Sequence, residues 1–81
     1  MTNKDVSIQH HLDTSGLNCP EPVMMLHKKV KEMAVDDVLE LTATDPSTQR
    51  DVPKFCEFLD FKLLKQEHTE NLFVFLIQKQ E

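Results

Sequence analysis

Glycine is nearly absent from this chain, which has one glycine and four prolines among 81 residues. That balance, together with the lack of an internal repeat, argues against a disordered or low-complexity sequence. The composition is otherwise that of a globular protein, with 40% hydrophobic and 28% charged residues. A chain of this length can build one modest core but not two. We therefore expect a single domain over residues 1–81, with residues 1–7 as a flexible tail.

Long apolar runs are also missing. The longest, Leu72 to Ile77, falls far short of the roughly 20 residues that span a bilayer. Residues 1–9 are polar and lack the apolar segment of a secretion signal. The sequence thus predicts a soluble, cytoplasmic protein with no membrane segment.

Positive charge is scarce, because 9 Lys and Arg residues face 14 Asp and Glu residues, for a formal net charge of −5. General nucleic-acid binding depends on Lys and Arg neutralising phosphates. The charge balance therefore argues against direct nucleic-acid binding and favours proteins as partners.

Cysteine is limited to Cys19 and Cys56. The pair resembles neither a disulfide framework nor a CxxC motif, and its spacing matches no common zinc pattern. His10 and His11 would point to opposite faces of a strand, so they make a poor pair of metal ligands. We predict no metal site.

The hydrophobic periodicity alternates between strands and helices. It predicts strands at residues 8–13 and 38–44, a helix from residue 20 to about 34, a second helix starting between residues 48 and 51, and a hairpin of strands 61–68 and 72–79. Strand, helix and strand in about thirty residues form a βαβ unit, whose two strands run parallel. The order βαβαββ indicates a small two-layer α/β fold.

The last strand is apolar on both faces, which is typical of a central strand. Phe73, Phe75 and Ile77 share one face. If both helices cover that side, the other face would be thinly covered at Leu72, Val74 and Leu76. We expect part of that face to be an interface.

The turn before the first helix contains Gly16, Cys19, Pro20 and Pro22. Proline is tolerated in the first helical turn, which predicts Pro20 as the first helical residue and Cys19 as the N-cap. The amide of Glu21 would then face the sulfur, and the helix start would stabilise a thiolate. Cys19 is our candidate nucleophile. The alternative, a small buried hydrophobe, fits a turn less well, because turns lie at the surface.

The first helix has a basic face. Lys28, Lys29 and Lys31, with His27 beside them, could steer an acidic or phosphate-bearing partner. The alternative is a solvated helix end whose cations favour the dipole. Met24 lies off the core stripe, so it is either a contact residue or a filler of a gap in the core.

The second helix carries the other cysteine. Thr48 and Asp51 resemble a capping box, but Pro53 leaves the start of the helix open. Arg50 and Asp51 can also form a surface ion pair. Cys56 belongs to an apolar face predicted to lie in the core, which also comprises Val52, Phe55 and Leu59.

Two segments match a known family. GLNCPEPVMM at residues 16–25 and TDPSTQRDVPKFCEF at residues 44–58 resemble the TusA (SirA-like) sulfur-carrier family, and the likeness runs from about Leu12 to Lys79. The resemblance implies a two-layer α/β sandwich, with a mixed four-stranded sheet and two helices on one face.

The resemblance also implies a function. Cys19 would take sulfane sulfur as a persulfide from a cysteine desulfurase of the IscS type. It would relay that sulfur through a TusBCD-like complex toward 2-thiolation of the wobble uridine of certain tRNAs, and it would need no cofactor. The residues that shape the site would be Gly16, Pro20, Glu21 and Pro22, and those that dock partners would be Met24, His27, Lys28, Lys31 and Arg50.

Three features depart from the family pattern. Asn18 and His27 stand where Arg is frequent, and Asp36 with Asp37 replaces a glycine-containing turn, which weakens the positive patch. Sulfur delivery to molybdenum-cofactor synthesis or to sulfur oxidation is an alternative destination. A redox-sensing regulatory module is an alternative class, but a sensor commonly needs a nearby resolving cysteine, and Cys56 is predicted to be in the core.

Overall fold

The computed structural model describes residues 7–80, so the predicted tail lies, except for Ser7, outside the described residues. Within that range the chain forms four strands and two helices. They are β1 (His10–Thr14), α1 (Glu21–Val30), β2 (Val38–Ala43), α2 (Thr48–Leu59), β3 (Lys62–Thr69) and β4 (Leu72–Gln78). The predicted βαβαββ order is confirmed.

The strands form one mixed sheet in the order β1-β2-β4-β3. β1 and β2 run parallel, with Leu12 opposite Leu41. β4 pairs antiparallel with β2 on one side, where Leu41 is opposite Phe75, and with β3 on the other. The mixed sheet and the central position of β4 are therefore as predicted.

Both helices pack on the same face of this sheet, and a single hydrophobic core lies between the two layers. Each helix contributes an apolar stripe, as the spacing of three and four residues predicts. The buried residues from the helices include Leu26, Val30, Val52, Phe55 and Cys56, and those from the sheet include Leu39, Leu41, Phe73, Phe75 and Ile77.

On the opposite face of β4, the predicted thin cover is found at Leu72 but not at Leu76. Leu72 is 41% exposed, but Leu76 is only 8% exposed. Leu76 lies opposite Glu40 on β2 and Lys65 on β3, and directly opposite side chains on one face of a sheet contact each other. The longer side chains therefore cover Leu76, and the thin cover predicted there was wrong.

The helix α1 ends at Val30, before the predicted end at residue 34. The next turn is tightened, since the amide of Met33 donates to the carbonyl of Val30 at 3.2 Å, a bond between residues three apart. Lys79 Nζ also donates to the carbonyls of Val30 at 3.2 Å and Met33 at 2.9 Å. Lys79 thus satisfies carbonyls at the C-terminal end of α1. Met33, beyond that end, stays in the core at 4% exposure.

The start of α2 differs from a capping box. Ser47 is the N-cap, with no hydrogen bond from its side chain to the helix. Thr48 Oγ1 donates to the carbonyl of Asp45 at 2.7 Å, and Asp51 Oδ2 accepts a hydrogen bond from Cys19 Sγ instead of capping the helix. The capping-box prediction was therefore wrong.

Pro53 lies inside α2, where its missing N–H leaves the carbonyl of Gln49 without the usual helical donor. Gln66 Nε2 on β3 donates to that carbonyl at 3.4 Å. This bond from the sheet offsets part of the cost of a proline within the helix.

Candidate functional site

The candidate site is built on the turn between β1 and α1. Gly16 adopts a φ of +85°, a left-handed conformation that glycine reaches without steric cost. Its amide donates to Thr44 Oγ1 at 2.8 Å, and the amide of Leu17 donates to the carbonyl of Thr14 at 3.1 Å. The turn is thus tethered to the end of β2, and it leaves Cys19 exposed.

The helix begins one residue later than predicted. Pro20 has φ −100° and ψ 16° and is the N-cap, so Cys19 precedes the cap, and the Cys19–Pro20 peptide bond is cis. The amide of Glu21 donates to the carbonyl of Asn18 at 2.8 Å. It is therefore not free to face the sulfur, and that prediction was wrong because the backbone of Pro20 lies outside the helix. Pro22 is buried as the second helical residue.

Two carboxylates hold Cys19 instead. Cys19 Sγ donates to Asp51 Oδ2 at 3.5 Å, a distance suited to the weak thiol donor. The amide of Cys19 donates to Asp45 Oδ2. The amides of Ser47 and Cys19 hold the pKa of the Asp45 carboxyl below its ordinary value, because both hydrogen bonds favour the charged form. The cysteine is thus fixed at both its amide and its sulfur.

Arg50 completes this arrangement. Its Nε lies 3.3 Å from Asp51 Oδ1, the oxygen that the thiol does not use, and its side chain is 67% exposed. The surface ion pair of Arg50 and Asp51 was predicted from the sequence, but the hydrogen bond from the Cys19 thiol to Asp51 was not. No local pattern could reveal it, because Cys19 and Asp51 are 32 residues apart.

A groove of about 520 Å³ runs between α1 and α2 and reaches the site at Pro20 and Asp51. His27 forms part of its wall and packs edge-on against Phe55, with 4.7 Å between ring centroids. Phe58 also lines the groove and is 88% exposed. Phe58 was not predicted as a site residue. Its position off the apolar stripe of α2 was the available signal, because it indicates a side chain that faces outward.

The predicted docking residues fall into separate groups. Met24 is 57% exposed and lines a recess of about 200 Å³ with Glu21, Met25 and Lys28. Lys31 is the C-cap of α1, about 15 Å from Glu21 at the helical rise of 1.5 Å per residue. The recess and the groove thus lie near Cys19, and Lys31 lies at the far end of the helix.

Cys56 lies in the core at 3% exposure, as predicted, whereas Leu59, predicted on the same core face, is 37% exposed. Burial raises the pKa of the Cys56 thiol to about 11, because the charged thiolate loses its hydration. Cys56 is therefore a poor nucleophile at neutral pH.

Over residues 7–80, no three His, Cys, Asp or Glu side chains are arranged to hold a metal ion. In the same part of the chain, neither helix has the length and apolar character needed to cross a membrane.

The fold and the site define a class, that of small two-layer α/β proteins that present one exposed cysteine on a strand-to-helix turn. The family described as "Sulfurtransferase TusA" matches residues 10–79, and the chain belongs to this TusA family.

Similar proteins agree with this assignment. The sulfur carrier protein TusA of Pseudomonas entomophila is 57% identical over 68 residues, which cover 84% of this chain and 85% of that protein. The protein of the same name from Pseudomonas aeruginosa is 51% identical over 73 residues, covering 90% and 92% of the two chains. The crystal structure of a SirA-like protein from Desulfitobacterium hafniense gives a TM-score of 0.78 at 17% identity, covering 90% of this chain and all of that one. At that identity, the likeness supports the fold alone.

Proposed function

We propose that the protein is a sulfur carrier in which Cys19 holds sulfane sulfur as a persulfide. The observation that carries the proposal is the exposure of Cys19 on a tethered turn, because a carrier sulfur must be reached first by a donor and then by an acceptor. Membership of the TusA family and the names of the Pseudomonas relatives support the same role.

The transfer needs no net oxidation. The Cys19 thiolate attacks the terminal sulfur of a persulfide on the donor, a new S–S bond forms, and the S–S bond of the donor breaks. The electron pair of the broken bond stays on the donor cysteine, which leaves as a thiolate. The hand-over repeats the step with Cys19 as the leaving thiolate and a cysteine of the acceptor as the nucleophile.

The proposed donor is a cysteine desulfurase of the IscS type, and the proposed acceptor is a TusBCD-like complex that serves wobble-uridine 2-thiolation in the cytoplasm. Two surfaces beside Cys19 support docking of such proteins. One is the groove lined by His27 and Phe58, and the other is the recess lined by Met24 and Lys28. Exposed apolar area near a reactive group often marks an interaction site.

The test is transfer of labelled sulfur. The protein is incubated with a cysteine desulfurase and cysteine labelled at sulfur, and protein-bound label is measured without reductant. We expect labelling of the wild type and of the matched control Cys56→Ala, and no labelling of Cys19→Ser. Cys19 packs little, so Cys19→Ser should remain folded by circular dichroism. Label retained on Cys19→Ser, or lost from Cys56→Ala, would contradict the proposal.

The destination needs a second stage. Labelled carrier, freed of desulfurase, is mixed with a TusBCD-like complex or, separately, with a protein that supplies molybdenum-cofactor synthesis. Faster loss of label to the TusBCD-like complex would support tRNA thiolation as the destination. Preferential transfer to the molybdenum-cofactor protein would exclude tRNA thiolation as the main destination of the sulfur.

A further inference from the structure

The turn between β1 and α1 is fastened to the end of β2 at several points. Thr14 Oγ1 donates to the carbonyl of Thr42 at 2.8 Å, and Thr14 is fully buried. Two residues further along, the amide of Gly16 donates to Thr44 Oγ1 at 2.8 Å. These bonds hold the first half of the turn against the sheet.

Asp45 makes the backbone contact nearest the sulfur. Its Oδ2 accepts a hydrogen bond from the amide of Cys19, and its Oδ1 accepts one from the amide of Ser47, the N-cap of α2, at 3.1 Å. The carbonyl of Asp45 accepts a hydrogen bond from Thr48 Oγ1 at 2.7 Å. Asp45 therefore joins the backbone of Cys19 to the start of α2, and that helix start in turn fixes Asp45.

The two side-chain bonds of Asp45 favour its charged form. The amides of Ser47 and Cys19 hold the pKa of the Asp45 carboxyl below its ordinary value, so both bonds persist at neutral pH. They restrain the backbone of Cys19, while the residue itself stays exposed. The turn thus combines a fixed backbone with an accessible sulfur.

We propose that Asp45 is a positioning residue for sulfur transfer, which fixes the backbone of Cys19 so that its sulfur is aligned with the reacting sulfur of a docked partner. This inference rests on the proposed sulfur carrier. In loading, the new S–S bond forms at Cys19 as the S–S bond of the donor breaks, and the donor cysteine leaves as a thiolate. Alignment that exists before docking lowers the barrier to this step.

The expected effect is on the rate within the docked complex. Misplacing a reacting group by about 1 Å can slow a reaction about 100-fold. The bond between Gly16 and Thr44 remains when Asp45 is truncated, so we expect a smaller loss, of about tenfold. Docking itself should not change, because Asp45 lines neither the groove nor the recess.

The test is a single-turnover transfer from a desulfurase preloaded with labelled sulfur, measured over a range of carrier concentrations. Asp45→Ala should lower the saturating rate about tenfold and leave the half-saturating concentration unchanged. The matched control is Asp13→Ala, which removes a similar bond, from the amide of Ser15 to Asp13 Oδ1 at 2.9 Å, at the start of the same turn. This control should transfer sulfur at the wild-type rate.

A second variant guards against a disturbance of α2 by Asp45→Ala. Thr44→Val keeps the shape of the side chain but removes the acceptor for the amide of Gly16. It should lower the saturating rate in the same direction but by less, because Gly16 is three residues away from Cys19. Circular dichroism checks that both variants are folded.

Hydrogen exchange of the Cys19 amide, followed by NMR, needs no desulfurase. The exchange should be faster in Asp45→Ala than in wild type, because the amide loses its acceptor. It should be unchanged in Asp13→Ala.

The inference is overturned if Asp45→Ala transfers sulfur at the wild-type saturating rate, even when exchange of the Cys19 amide is faster. It is also overturned if Asp45→Ala changes only the half-saturating concentration, which would make Asp45 a docking residue, or if Asp13→Ala loses as much rate. Failure of the sulfur-carrier proposal is a separate result, because the wild type would then take no label from an active desulfurase.

Discussion

The two cysteines of this protein have the same chemistry and opposite surroundings. Cys19 lies exposed on a turn that hydrogen bonds tether to the sheet. Cys56 lies on α2, with its side chain in the hydrophobic core at 3% exposure. Burial raises the pKa of the Cys56 thiol to about 11, and nothing comparable buries Cys19. Position in the fold, rather than residue type, thus decides which thiol is available for transfer.

The largest difference should be in reactivity. At pH 7 we expect iodoacetamide to modify Cys19 at least about tenfold faster than Cys56, because burial blocks access to Cys56 and raises its pKa to about 11, and the loss of thiolate exceeds what the higher nucleophilicity of that thiolate recovers. Peptide mass spectrometry over a time course measures both rates in the same molecule. Comparable rates for Cys19 and Cys56 in the folded protein would contradict this difference. The control is the denatured protein, in which both cysteines should react.

Oxidation tests the same contrast without an added electrophile. Mild oxidation of the purified monomer should give sulfenic acid or intermolecular products at Cys19. We expect no internal bridge, because a disulfide needs Cα atoms closer than about 7 Å, and Cys19 is exposed on the turn while Cys56 is buried in the core. Non-reducing peptide mapping reports the products. A Cys19–Cys56 peptide in high yield from folded monomer would favour redox switching over sulfur transfer.

Docking through the basic face of α1 should depend on charge. Reversing two lysines, Lys28→Glu with Lys31→Glu, should lower the association rate with the desulfurase about tenfold, and added salt should mimic part of the loss. The matched control is Lys62→Glu with Lys65→Glu on β3. Surface plasmon resonance at two salt concentrations measures the effect. Unchanged binding, or an equal loss in the control, would indicate that Lys28 and Lys31 do not dock the desulfurase and are only solvated charges at the end of the helix.

Alkaline pH should weaken the fold through Cys56. An unfolded chain ionises this thiol near its ordinary pKa of 9, and the folded chain does so only at about 11. The folded state therefore holds the proton more tightly. The stability that this proton contributes is fully present below pH 9 and is lost as pH rises toward 11. Urea unfolding at pH 8 and pH 10.5 should show a smaller loss in Cys56→Ala than in wild type. An equal loss would mean that other groups cause it.

The smallest effect should come from Cys56→Ala at neutral pH. It removes one small apolar group from the core and should lower the free energy of unfolding by on the order of 1 kcal/mol, as urea unfolding at pH 7 can measure. Sulfur loading should not change. Impaired loading in a stable variant would give Cys56 a role that its burial argues against.

Local patterns in the sequence predicted most of the fold. The stripe of Leu26 and Val30, the burial of Cys56 and the central position of β4 all follow from periodicity, and all are observed. The exposed cysteine before two prolines was also visible in the sequence, because turn residues surround it.

The features that sequence analysis missed depend on contacts between distant residues. The bond from Cys19 to Asp51 spans 32 residues, and Lys79 reaches the carbonyl of Met33 across 46 residues to end α1. Leu76 is buried by neighbours on two other strands. Such contacts depend on tertiary packing, which outweighs local propensity.

The most direct test of Cys19 as the carrier residue is to locate the sulfur after loading. Wild-type protein is loaded by a desulfurase, its persulfides are capped with an alkylating reagent, and the Cys19 and Cys56 peptides are quantified by mass spectrometry. We expect the added sulfur on the Cys19 peptide and none above background on the Cys56 peptide. Added sulfur on Cys56, or on neither peptide while the desulfurase is active, would contradict it.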